Sequence, residues 1–231
     1  MMDFAPIIEN LPLYLEGLVT TVWLVVAALA IGLLLSHPIA IAAGARRWWI
    51  SALPLAFIHF FRGTPLLIQI FLVYYGLAQF EWIRESMLWP IFKEAKWCAL
   101  IAFSLNTAAY TARILSGAIA QTSFTEIEAA RAAGMPPGMV LRRIVLPSAW
   151  RRALPAWGNE VVFMLHGSAL AGVITIVDLF GAARIVNSRH FIPFESFLTA
   201  GVFYLALTFL IVKAFKVWEK RWHRHLRGHR V

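Results

Sequence analysis

Apolar residues fall in five long stretches, roughly 17–43, 56–80, 97–118, 157–175 and 196–217, separated by shorter segments richer in Arg, Lys, Gly and Pro. A run of about 18 or more apolar residues makes a helix that reaches across the ~30 Å of hydrocarbon in a bilayer. The pattern predicts an all-α, polytopic membrane protein with five transmembrane helices and its termini on opposite sides. It reads as a single transmembrane domain over 1–231, with a polar loop at 122–152 inside it. The second stretch is irregular, because Arg62, Gly63 and Pro65 interrupt it. Either 54–80 is one kinked helix, or 52–61 is an interfacial elbow and the crossing begins near Thr64. After the fourth stretch, Thr175 and Asp178 are suited to start a short amphipathic helix through Ala182, Ile185 and Val186 on the outer surface.

Composition agrees with the pattern. Of 231 residues 60% are hydrophobic and only 14% charged, and mean hydropathy is +0.70, outside the range of soluble domains of this size. The net charge of +9 would suggest nucleic acid in a soluble chain, but in a membrane protein it marks the cytoplasmic side. With the N-terminus outside, sixteen Lys and Arg residues lie inside, against Arg84, Lys93, Lys96, Arg184 and Arg189 outside. Trp48, Trp49, Trp82, Trp89, Trp97, Trp150, Trp157, Trp218 and Trp222 fall near the expected membrane interfaces. Cys98 is the single cysteine, which excludes an internal disulfide. Asp3, Glu9 and Glu16 precede or open the first span without a Lys or Arg, so a cleaved signal peptide is not expected.

The loop reads as two short helices joined by a turn. Ser123 with Glu126, or Thr125 with Glu128, has capping-box spacing. Gly134 is placed to end the first helix in a left-handed conformation, and Pro136-Pro137 stops its continuation. The second helix is expected from about Gly138 to just before Pro147. Paired alanines leave a low surface and Glu128 and Arg131 carry oriented charge, which suits a docking knob as well as an ordinary amphipathic loop.

Glu128-Ala129-Ala130, Gly134, Ile144 and Leu146-Pro147 match in full the spacing of the EAA loop. On these residues the chain resembles the permeases of ATP-binding-cassette importers. The segment Phe61-Arg62-Gly63-Thr64-Pro65-Leu66-Leu67-Ile68-Gln69 is similar to one in the polar-amino-acid permeases of that group. The runs from Asn106 to Ala112 and from Asn159 to His166, with Ser168-Ala169-Leu170, extend the likeness over about 15–225. It points towards the permeases of histidine/lysine/arginine/ornithine and of octopine/nopaline transporters. The resemblance implies a type I ABC importer permease fold in the bacterial inner membrane, with a periplasmic N-terminus and a cytoplasmic C-terminus. It also implies a second homologous permease or a second copy, a cytoplasmic ATPase dimer held at Glu128, Ala129, Ala130, Arg131 and Gly134, and a periplasmic amino-acid-binding protein. The cargo is then a polar amino acid, basic or an opine derived from one. ATP and Mg are used by the partner, with no cofactor, metal or catalytic residue in this chain and no nucleic acid. Independently, the sequence has no G-x-x-x-x-G-K-[ST] phosphate loop. Arg113 departs from the family pattern, which usually has an acidic residue after the Tyr-x-Ala run.

Polar residues inside spans are costly and count as functional candidates. Asn106 and His166 each lie roughly 13 Å from a span end, near the midplane. Tyr110 is one turn from Asn106, and Ser168 follows His166. An amide, a phenol and an imidazole suit the carboxylate and ammonium of an amino acid, and equally suit hydrogen bonds between helices. Glu160, at the expected start of the fourth span, reads as a charge on a helix N-terminus, narrowly ahead of a ligand-binding group. A channel or secondary transporter leaves the loop spacing unexplained. An intramembrane hydrolase is disfavoured because His166 and Ser168 point in different directions on a helix.

Overall fold

The computed structural model describes residues 3–222. After a single turn, α1 (Ala5–Glu9), the first span is α2 (Leu11–Ala43), 33 residues long. It lies along α7 (Ala95–Ala120), the third span. The two approach closely because Gly32 lacks a side chain. A Cβ there would run into Thr107 Cγ2 and stand 3.1 Å from the backbone of Ser104 and Ala108. Ala99, Ala102, Ala108, Ala109 and Ala112 keep α7 slim, as small residues do where membrane helices pack. α7 is the central post, with 72% of its apolar window buried.

The second stretch resolves as the elbow. Helix α3 (Trp48–Gly63) ends at Thr64, and α4 (Leu66–Phe71) leaves at 107° to it, passing through a π turn (Leu72–Gly76) and a 3₁₀ turn to Gln79. Pro65 forces the break, because the residue before proline is pushed out of the helical region, and Thr64 is extended at φ −111°, ψ 143°. Gln69 fills the corner, its Nε2 donating to Phe61 O (2.8 Å), Thr64 O (3.0 Å) and Thr64 Oγ1 (2.8 Å). Two short helices, α5 (Glu81–Arg84) and α6 (Trp89–Phe92), lead to α7.

Beyond α7 come α8 (Phe124–Ala132) and α9 (Pro137–Val140). The second loop helix does not end before Pro147 as expected. It widens into a π turn (Leu141–Val145) and continues as α10 (Leu146–Gly167), with a 3₁₀ extension to Ile174. In an α-helix the proline ring would clash with the carbonyl four residues back. The π turn opens the backbone at that point, so loop and fourth span form one continuous helical run.

The chain bends by 47° at Thr175 (φ 72°), and Asp178 caps α11 (Leu179–His190) by accepting from Gly181 N at 2.8 Å. The start agrees with expectation and the placement does not. Leu179, Ala182, Ala183 and Val186 are buried and α11 packs on α2 and α12 (Pro193–Trp222) instead of lying on the surface. In α12 only 6% of the apolar window is buried. Polar ties hold it: Tyr14 Oη donates to Ser196 O (3.0 Å) and Tyr204 Oη to Asp178 Oδ2 (3.2 Å), while His166 Nε2 meets Thr208 Oγ1 (3.1 Å). Among the described residues three helices are long and apolar enough to cross a membrane singly, and five spans result when each bent pair counts as one.

Candidate functional site

The loop is a self-supporting knob. Gly134 sits at φ +79°, and the bonds Met135 N to Ala130 O (3.1 Å) and Gly134 N to Arg131 O (2.9 Å) close a Schellman motif. Ala130 packs with Val140 and Val145, flanked by Ile127, Met135 and Ile144. Of the five candidate docking residues, Ala130 therefore holds the knob together, while Glu128, Ala129, Arg131 and Gly134 are exposed. The capping boxes do not form. Ser123 is the N-cap residue, but its side chain makes no cap hydrogen bond, and Thr125 lies inside the helix.

The second feature is a cleft of about 540 Å³ at the α3–α4 elbow, walled by Arg62 to Leu66, Asn106 and Tyr110 of α7, and Glu160, Phe163 and Met164 of α10. The Arg62 guanidinium lies over the Tyr110 ring, 5.2 Å from its centre, an attraction of roughly 0.5–2 kcal/mol depending on solvation. Asn106 Nδ2 donates to Gln69 Oε1 at 3.0 Å, which fastens α7 to the elbow. Glu160 is 6% exposed. No ion pair within 4.0 Å joins it to Arg62, so the cleft presents a cation and an acidic group separately. Gly167 lets α10 approach α4, where a Cβ would stand 3.0 Å from Leu66 Cδ2.

The candidates thus divide. Asn106 and Tyr110 line the cleft. His166 is not in the cleft lining; it is exposed and bound to Thr208. The Thr208 hydroxyl donates to Tyr204 O (2.8 Å), so the imidazole nitrogen is the donor to Thr208. Ser168 is fully buried and donates to Leu165 O (2.7 Å). From the sequence, Arg62 reads only as an interruption of the second span and Glu160 as a charge on a helix end. The N-terminal charge role for Glu160 lapses because α10 begins at Leu146, more than three turns earlier. The clue was that both residues stand inside family-like segments, Phe61 to Gln69 and Asn159 to His166.

The chain is 41% identical over 220 residues to the octopine transport system permease protein of Rhizobium meliloti, covering 94% of this chain and 90% of that one. Against the nopaline transport system permease protein of Agrobacterium fabrum it is 41% identical over 228 residues, with 98% and 95% covered. The histidine/lysine/arginine/ornithine permease of Escherichia coli K12 is 39% identical over 212 residues, with 91% and 89% covered. A crystal structure of an amino acid ABC transporter with histidines superposes with a TM-score of 0.84 at 32% identity, over 96% of this chain and 99% of that one. The methionine transporter MetNI, in an inward-facing form, matches in fold at a TM-score of 0.77 and 18% identity, over 91% and 96%. Residues 36–224 match the family described as binding-protein-dependent transport system inner membrane component. The chain belongs to that family, and it is a multi-pass permease subunit of an amino-acid or opine ABC importer of the inner membrane.

Proposed function

We propose that this permease passes a basic amino acid, or an opine derived from one, through the Arg62–Glu160 cleft. The observation that carries the reading is the separate placement of a guanidinium and a carboxyl group in the lining of one cleft. An amino acid brings a carboxylate to Arg62, whose planar fork suits it, and an ammonium to Glu160. Asn106 and Tyr110 line the same cleft. Octopine, nopaline and basic amino acids, named for the relatives, all carry both groups. His166 and Ser168 serve helix packing.

The exposed face of α8, with Glu128, Ala129 and Arg131, receives a cytoplasmic ATPase subunit, and ATP with Mg is consumed in that separate chain. A second permease, homologous or identical, completes the pathway, and a periplasmic binding protein delivers the cargo. The N-terminus is periplasmic and the C-terminus cytoplasmic. Reporter fusions test this orientation, with Glu85 expected outside and Gly138 inside; the reverse result removes the docking role.

Uptake of arginine and octopine into liposomes containing the whole complex tests the cleft. Glu160→Gln should slow uptake about ten-fold or more, the loss of one charge-assisted contact, without changing how tightly the binding protein holds its ligand. Uptake at the parent rate would move the site out of this cleft.

A further inference from the structure

The coupling loop leaves the bundle at the end of α7 and re-enters it in α10, and one side chain spans both points. Arg152 Nη1 donates to Ser148 Oγ (2.7 Å), one turn back in α10. Its Nη2 donates to Ala118 O (2.9 Å) and to Thr122 Oγ1 (2.8 Å). Ala118 belongs to the last turn of α7, whose carbonyls lack intrahelical donors, and a cation there also meets the negative end of the helix dipole. No carboxylate takes part, since among the described residues Arg152 forms no ion pair within 4.0 Å. Two residues earlier, Trp150 Nε1 donates to His37 Nε2 (3.0 Å), tying the same turn of α10 to α2.

We propose that Arg152 is a positioning residue for coupled transport, clamping the two ends of the coupling loop so that displacement of α8 is delivered to α7 and α10 together. These two helices carry Asn106, Tyr110 and Glu160 of the cleft. Without the clamp, movement of the knob is absorbed where the loop joins the bundle. A lysine retains the charge but presents its donors from one nitrogen, so it does not reproduce a planar fork that grips α7, the linker and α10 at once. The inference rests on the docking role of the loop, and its test separates the two.

Arg152→Met and Arg152→Lys are compared with the parent in the complete complex with its ATPase and binding-protein partners, in liposomes with arginine as the transported probe. The expected result is near-parent recovery of ATPase subunits and about a ten-fold fall in arginine carried per ATP hydrolysed, in the usual range of coupling effects, with Lys nearly as impaired as Met. Thr122→Val combined with Ser148→Ala, which leaves the Ala118 carbonyl, should give about a three-fold fall and decides the matter if Arg152→Met fails to insert. Spin labels at positions 113 and 129 of the permease alone, in a Cys98→Ser background, should show a broadened distance distribution in Arg152→Met. An unchanged distribution, or arginine per ATP within about two-fold of the parent, overturns the clamp. The spin-label measurement needs no ATPase. Failure of the docking role would instead appear as undiminished ATPase recovery with Glu128→Lys.

Discussion

The contacts that shape the coupling loop lie between Ile119 and Val145, about one stretch of chain, whereas the cleft takes its walls from 62–66, 106–110 and 160–164. The knob is fixed by a glycine turn, a proline and a small apolar cluster, all close in sequence. The cleft exists only once the elbow, α7 and α10 have packed, and its polar groups are held by bonds such as Asn106 to Gln69 that join distant segments. A change in one region should therefore leave the other intact. With the proposed roles, docking and translocation should be separable by mutation, except at the joints between them.

The strongest test of that separation is at Gly134. Its φ of +79° is strained for any β-branched residue, at a cost of roughly 1–2 kcal/mol or more. Gly134→Val should reduce co-purification of the ATPase subunits about ten-fold with the permease still inserted. Gly134→Asn, which tolerates that conformation, should keep most of it. Next is Arg62. Arg62→Gln should lower uptake about ten-fold and Arg62→Lys somewhat less, with ATPase recovery unaltered in both. Lost recovery in either would mean the regions are not independent.

A smaller effect is expected at Asn106. Asn106→Leu leaves the Gln69 carbonyl oxygen buried without this donor, a cost of about 1–3 kcal/mol, and should lower the unfolding midpoint in detergent by several degrees with a partial loss of uptake. The smallest is at His166. His166→Leu removes one interhelical bond of about 0.6 kcal/mol, so uptake should stay within two-fold and the midpoint fall by about 1–3 °C. A large loss of uptake there would return His166 to the pathway.

The same contrast explains what the sequence disclosed. Spans were legible because a run of apolar residues is a local property, and so was the turn at Gly134, where glycine and two prolines signal the backbone directly. Asn106 and Tyr110 could be paired because they are one turn apart. His166 looked equivalent to Asn106 at the same expected depth, but depth does not give the direction in which a side chain points. That depends on the rotation of α10, which in turn depends on where α10 begins. The start was misplaced because Pro147 reads as a helix terminator, and nothing in its neighbours announces the π turn that accommodates it. Arg62 and Glu160 come together across nearly one hundred residues, a pairing that no local pattern encodes.

The π turn at Leu141–Val145 also sets a phase. Its bonds close on the fifth residue along and not the fourth, so it takes in one residue more than a regular turn, and deleting a single residue there would restore a regular helix and leave everything before it pointing nearly as it does now. The face with Glu128 and Arg131 would then keep close to its present direction, whereas deleting a residue from the regular helix beyond Val145 would swing it by about 100°. The π turn therefore works as an angular buffer: it takes up one residue of the helical run without rotating the proposed docking face about the axis of α10, and the same change of length in a regular turn would leave that face pointing the wrong way.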